Sequence, residues 1–185
     1  MCLRWEPNGK CVYKRGNWLE KSNGKHFDWR LYQPVEDRVY VSNYFGDDVP
    51  RIVWTAGGYF QDCNKVLRTE FIPEAETILG HLCDRLILYT KSDTLEYFYS
   101  SELGLDHRHF EECKQLHFNV WTSLTNAMPL KMVFSMVSLG KLKYTMTATS
   151  IQRMKIDDRV FSLPIKGMKT EPSWEDAHME FIKNH

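Results

Sequence analysis

The sequence predicts a mainly β protein of the α+β class: one curved antiparallel sheet with a helical insertion and a C-terminal helix. Two observations carry this prediction. Residues 130–136 (Leu-Lys-Met-Val-Phe-Ser-Met) and 144–149 (Tyr-Thr-Met-Thr-Ala-Thr) alternate apolar and polar side chains on either side of Ser138-Leu139-Gly140-Lys141. A period of two is what a strand imposes on side-chain direction, so the pair reads as a half-buried hairpin. Upstream, runs rich in aromatic and β-branched residues are punctuated by turn residues such as Pro7-Asn8-Gly9 and Gly57-Gly58, the pattern of successive hairpins.

The elements follow in order. Residues 3–6 and 11–14 flank a turn at Pro7-Asn8-Gly9-Lys10. Phe27, Trp29 and Leu31 alternate with His26, Asp28 and Arg30 in a strand stopped by Pro34. Short strands at 39–42 and 51–55 surround a loop at 45–50. Longer strands at 65–72 and 78–90 meet at Pro73-Glu74-Ala75-Glu76, and 95–100 completes a meander, with Gly80 marking a bulge. Asp106 caps a helix over 106–116, in which Phe110, Cys113 and Leu116 or His117 recur at helical spacing. After the methionine-rich hairpin, residues 156–164 return a turn and a short strand ended by Pro164. Ser173 and Asp176 form the capping box of a C-terminal helix reaching Ile182. The prediction is one domain over residues 1–185, with about nine or ten antiparallel strands.

Composition narrows function by exclusion. Lys+Arg and Asp+Glu both total 24, for a net charge of +0, so no global field draws the chain to nucleic acid or an anionic membrane. No apolar run reaches the roughly 18 residues of a membrane span, and the first residues do not read as a signal peptide. Five cysteines are an odd number. With Glu6 opposite Cys11, Cys2 would lie about 13 Å along the strand, too far for a bridge. Cys63 and Cys83 would sit out of line across the 73–76 turn. No Cys-x-x-Cys occurs, which removes thioredoxin-type and zinc-ribbon chemistry.

His107, His109, Cys113 and His117 are the one candidate metal set, because positions 109, 113 and 117 would share a helix face. A single helix seldom presents such ligands tetrahedrally, so they read as ordinary helix residues. Asp47-Asp48, Glu111-Glu112 and Asp157-Asp158 read as solvated pairs, and no nucleophile elbow or phosphate loop is present. Neither a reaction nor a cofactor is expected. What remains is an apolar concave face, on which Phe27, Trp29, Met132, Phe134, Met136, Tyr144 and Met146 are placed as candidate ligand-binding residues.

A resemblance extends this reading. The series Thr77-Ile78-Leu79-Gly80-His81-Leu82-Cys83-Asp84, Tyr97-Phe98-Tyr99-Ser100, Met128-Pro129-Leu130-Lys131-Met132, residues 145–150 and residues 157–164 resembles the GLPGLI-type envelope proteins. Those in turn resemble the LolA-like superfamily of lipoprotein carriers, and the likeness covers residues 65–164. It implies an unclosed, LolA-like β-barrel located in the periplasm or at the outer membrane, with a lipid or lipoprotein as partner. No binding residue carries over to a position here. The leading expectation is a non-enzymatic envelope protein that holds a lipid or acylated peptide in the concave face. The alternative is an interaction or scaffolding module that uses an exposed strand edge and takes no small molecule.

Overall fold

The computed structural model describes residues 1–6, 9–22, 28–42, 51–56, 65–137, 142–162 and 169–172. Strands make up most of the described residues and form one large, unclosed, curved sheet. They are β1 (Cys2–Glu6), β2 (Gly9–Lys14), β3 (Asn17–Ser22), β4 (Trp29–Gln33), β5 (Arg38–Ser42), β6 (Arg51–Ala56), β7 (Arg68–Ile78), β8 (His81–Tyr89), β9 (Asp93–Gly104), β10 (Ala127–Met136), β11 (Leu142–Gln152) and β12 (Lys169–Pro172). Their order across the sheet is β12-β6-β5-β4-β3-β2-β1-β11-β10-β9-β8-β7. Every pairing is antiparallel except the short β12, which runs parallel to β6. The predicted helix after Ser173 lies outside the described residues.

Connectivity alone requires the curvature. Strands β6 and β7 are ten steps apart in the order, roughly 48 Å if the sheet were flat. Only the segment from Ala56 to Arg68 joins them, and fully extended it reaches about 43 Å at most. The two ends of the sheet must therefore curl toward each other.

Two tight hairpins set register in regions the sequence reading placed differently. Arg15-Gly16 (φ 49 and 83) joins β2 to β3, and Leu79-Gly80 (φ 53 and 82) joins β7 to β8. Positive φ at both central residues matches the twist of the flanking strands. The turn thus falls at Leu79-Gly80, while Pro73-Glu74-Ala75 is a bulge within β7, with Glu74 at φ 51. Turn and bulge are exchanged relative to expectation, because a glycine that can take φ > 0 closes a hairpin better than a proline interrupting an edge strand. The first hairpin is also shifted. Leu3, not Glu6, lies opposite Cys11. Cys2 and Cys11 still do not bridge, for a different reason: they join opposite faces of the sheet, Cys11 in the inner cluster and Cys2 in the outer one. Both thiols are free, as are Cys83 and Cys113; Cys63 lies outside the described residues.

The inner face carries the larger core, with Leu3, Cys11, Trp18, Tyr97, Met132 and Phe134 beneath the insertion between β9 and β10. That insertion is not a helix over 106–116. Asp106 does cap, accepting from the Arg108 amide, but only a 3-10 turn follows over His107–Phe110 and another over Gln115–His117. The α-helix α1 comes later, over Phe118–Thr125. Leu116 (φ 47) and His117 (φ 54) are left-handed, which breaks the helical path, so positions 109, 113 and 117 do not share one face. Phe110 (0% exposed), Trp121 (0%) and Phe118 (8%) drive into the inner core. Gly16 admits the insertion closely, since a Cβ there would fall 2.5 Å from the Cβ of His109.

The outer face of the N-terminal half is covered as well. Ile156 and Phe161 pack with Cys2, Val12, Leu19, Leu31, Tyr40 and Ile52. Their segment forms a 3-10 turn over Asp158–Phe161, capped by Asp157, where a short strand was expected.

Burial lowers the His117 imidazole below its ordinary value, against the opposing charge of Asp93 on β9. The folded state thus prefers the neutral ring. Its contribution is complete above the unfolded pKa of about 6.5 and is lost as pH falls through and below that value. His117→Asn keeps a residue that accepts the left-handed backbone. Urea midpoints at about pH 7.5 and about pH 5.5 are expected to fall less for this variant than for the parent; equal falls would show that His117 is not a source of the acid sensitivity.

Candidate functional site

The methionine-rich hairpin has the register its alternation implies: Met132 opposes Met146 and Phe134 opposes Tyr144, with Tyr97 and Leu95 on the other side of β10. Met132, Phe134 and Met146 are 5%, 4% and 7% exposed, and Tyr144 is 41% exposed at the margin. For Met136 only the backbone is described, opposite Leu142 and Asp93. Phe27 lies outside the described residues. Trp29 belongs to the other face: it shares its side of β4 with Leu31 and packs on the outer cluster. Arg30 and Tyr32 are the β4 residues that turn inward, lining the cavities beneath the insertion. The alternation of β4 was legible, but which of its faces is inner depends on pairing, with Trp29 opposite Lys21 and Ser42.

The hollow above these residues is occupied by the protein itself. Phe110 stacks on Tyr32 with 5.6 Å between centroids, Phe118 meets Trp18 edge-on at 5.2 Å, and Trp121 stacks on Tyr97 at 5.1 Å. The Tyr97 hydroxyl donates to the Leu116 carbonyl at 2.6 Å, which ties the insertion to β9. Among the described residues, small cavities of about 20 and about 10 Å³ lie beneath the insertion. The first has room for about one water and no more.

Between the cavities runs a polar strip that sequence reading missed. Cys11, Glu20 and Arg30 are successive cross-strand partners on β2, β3 and β4. The Arg30 guanidinium donates to the Glu20 carboxylate at 2.5 Å, with side chains 21% and 11% exposed. Burial pulls the Arg30 pKa down, but the charge and hydrogen bond of Glu20 outweigh it and the group is held above its ordinary value. Cys11 and Cys113 are pushed up by burial, Cys113 to about 12, so both are protonated and poor nucleophiles at neutral pH. The strip is thus a neutralised ion pair among inert thiols, largely covered by the Trp18 and Phe118 rings. A general base aimed at an open space is absent among the described residues lining these cavities. No cluster of metal-ligating side chains occurs among the described residues either.

The sheet has two edges. One is the four-residue β12, ended by Pro172. The other is β7, of 11 residues, whose stretch before the bulge presents an exposed Phe71 on the inner side. On the outer side Arg68 meets Glu70 at 3.1 Å and covers the Tyr89 ring at 3.8 Å, while the Tyr89 hydroxyl donates to Glu70 at 3.0 Å. The Glu74 amide donates to Asp84 at 2.9 Å, bracing the bulge.

No family model and no curated protein matches the chain. Among solved structures, PNGF-II in the C2 space group is similar with a TM-score of 0.50 and 14% identity, over 94% of this chain and 29% of that one. PNGF-II in the P21 space group gives 0.48 and 15% over the same shares. The chain therefore spans less than a third of the PNGF-II chain, and the likeness is one of fold.

Proposed function

We propose that this chain is a non-catalytic interaction module that adds an extended segment of a partner to the free edge of β7. The observation that carries the reading is the backbone of Arg68–Ile72, which pairs with no second strand among the described residues and is already extended and registered by β8 on its other side. Such an edge supplies main-chain hydrogen bonds in a fixed direction, and flanking side chains supply selectivity. Phe71, 50% exposed, gives the segment an apolar residue to sit against. The braced bulge at 73–75 limits the added strand to about five residues.

The reading of the inner face as a lipid pocket is less well supported. Phe110, Phe118 and Trp121 together bury apolar area worth on the order of 10 kcal/mol. A ligand entering the hollow would have to offset their displacement.

Selection of extended heptapeptides displayed on phage, followed by amide hydrogen exchange, tests the module. Selected peptides are expected to protect amides within residues 68–72 and to lose roughly tenfold in affinity on Phe71→Lys. Peptides that protect another surface, or no enrichment at all, would overturn the proposal.

A further inference from the structure

On the outer face, away from β7, a groove of about 290 Å³ opens between β3, β4 and the Asp158–Phe161 turn. Its volume is at the small end of the range for ligand sites. The floor is built by register: Leu19 pairs with Leu31 and Lys21 with Trp29 across β3 and β4. Two buried leucines, 5% and 1% exposed, thus lie beside an indole, and Val160 adds an apolar wall.

The charged groups of the lining are both cations. Lys21 is exposed and has no partner among the described residues. Arg159 is held in place by Asp157, which takes its Nε at 3.0 Å and one Nη at 2.6 Å and leaves the other Nη without a partner among the described residues. The nearby buried carboxylate, Glu20, points to the opposite face and is spent on Arg30. An apolar floor of this size, rimmed by an exposed guanidinium paired with Asp157 and by an exposed ammonium, complements a small molecule with a flat apolar body and one negative charge.

We propose that this groove binds a small aromatic carboxylate, its ring on Trp29, Leu19 and Leu31 and its carboxylate between Lys21 and Arg159. The site is independent of the β7 edge.

Titration with 2-naphthoate, followed by calorimetry and by the Trp29 indole N–H resonance, tests it against the neutral isostere 2-naphthalenemethanol. Saturable binding that shifts the Trp29 signal is expected. Lys21→Gln, an exposed substitution that leaves the core intact, should weaken naphthoate by roughly fivefold, the upper end for a surface ion pair, and leave the alcohol unchanged. No saturation by about 5 mM, weaker than any useful affinity, would overturn the proposal. So would equal affinity for acid and alcohol, or binding that moves neither with Lys21→Gln nor at the Trp29 resonance.

Discussion

Phe134→Asp is expected to abolish cooperative folding at neutral pH, not to yield a folded protein with an emptied pocket. Phe134 is 4% exposed, meets Tyr97 edge-on at 6.0 Å and lies directly opposite Tyr144. Loss of a core phenyl ring costs about 3–5 kcal/mol. The new carboxylate adds several more, because burial strips it of water. It would share the small cavity with Glu20 and Arg30, and would compete with the Glu20 carboxylate for a guanidinium that Glu20 already holds. The sum approaches or exceeds the 5–15 kcal/mol that holds a typical domain together. Near-ultraviolet circular dichroism and a urea melt report the outcome. A variant that still melts cooperatively near the parent midpoint would place Phe134 on an accessible cavity wall and revive the inner face as a ligand site.

Glu20→Ala is expected to destabilise by about 3–5 kcal/mol, because it removes the carboxylate to which the largely buried Arg30 guanidinium donates. The double variant Glu20→Leu, Arg30→Met should lie far closer to the parent, since two apolar residues then replace two charges whose desolvation was nearly balanced by their attraction. Urea melts of the parent, Glu20→Leu, Arg30→Met and the double variant close this cycle, with Glu20→Ala measured beside them. If Glu20→Ala cost no more than the double change, the pair would be screened by solvent and would not be a buried constraint.

The hairpin around residues 130–149 was legible because one face is buried and the other is not, so polarity alternates with side-chain direction: Met132, Phe134 and Met146 inside, Lys131 and Thr145 outside. The same reasoning failed at β4. There both faces are covered, Tyr32 by the insertion and Leu31 by Ile156 and Phe161, and alternation cannot say which side is inner. Strand β3 was missed because its sequence, Asn-Trp-Leu-Glu-Lys-Ser, puts a carboxylate on the core side. That residue makes sense only once Arg30 stands opposite it on β4. The Arg15-Gly16 and Leu79-Gly80 turns lack the Asn or Asp that usually announces such hairpins, whereas Pro73-Glu74 offered a louder but misleading signal. The insertion was seen, but its α-helix was placed too early, since nothing in Leu116-His117 alone forces a left-handed path. The strip of Cys11, Glu20 and Arg30 is dispersed along the chain and exists only through pairing.

The placement of β1 has a consequence for how the chain reaches this state. Its first strand lies between β2 and β11, with Leu3 opposite Ile151 and Cys2 opposite Gln152. The early meander of β2 to β6 and the later one of β7 to β11 can each form from neighbouring segments, yet the seam between them waits until β11 has left the ribosome. Closing so large a loop is slow, in the millisecond-to-second regime of high contact order. Until then the flank of β1 stands open, and a chaperone that shields that strand would do more for yield than one acting on the later meander.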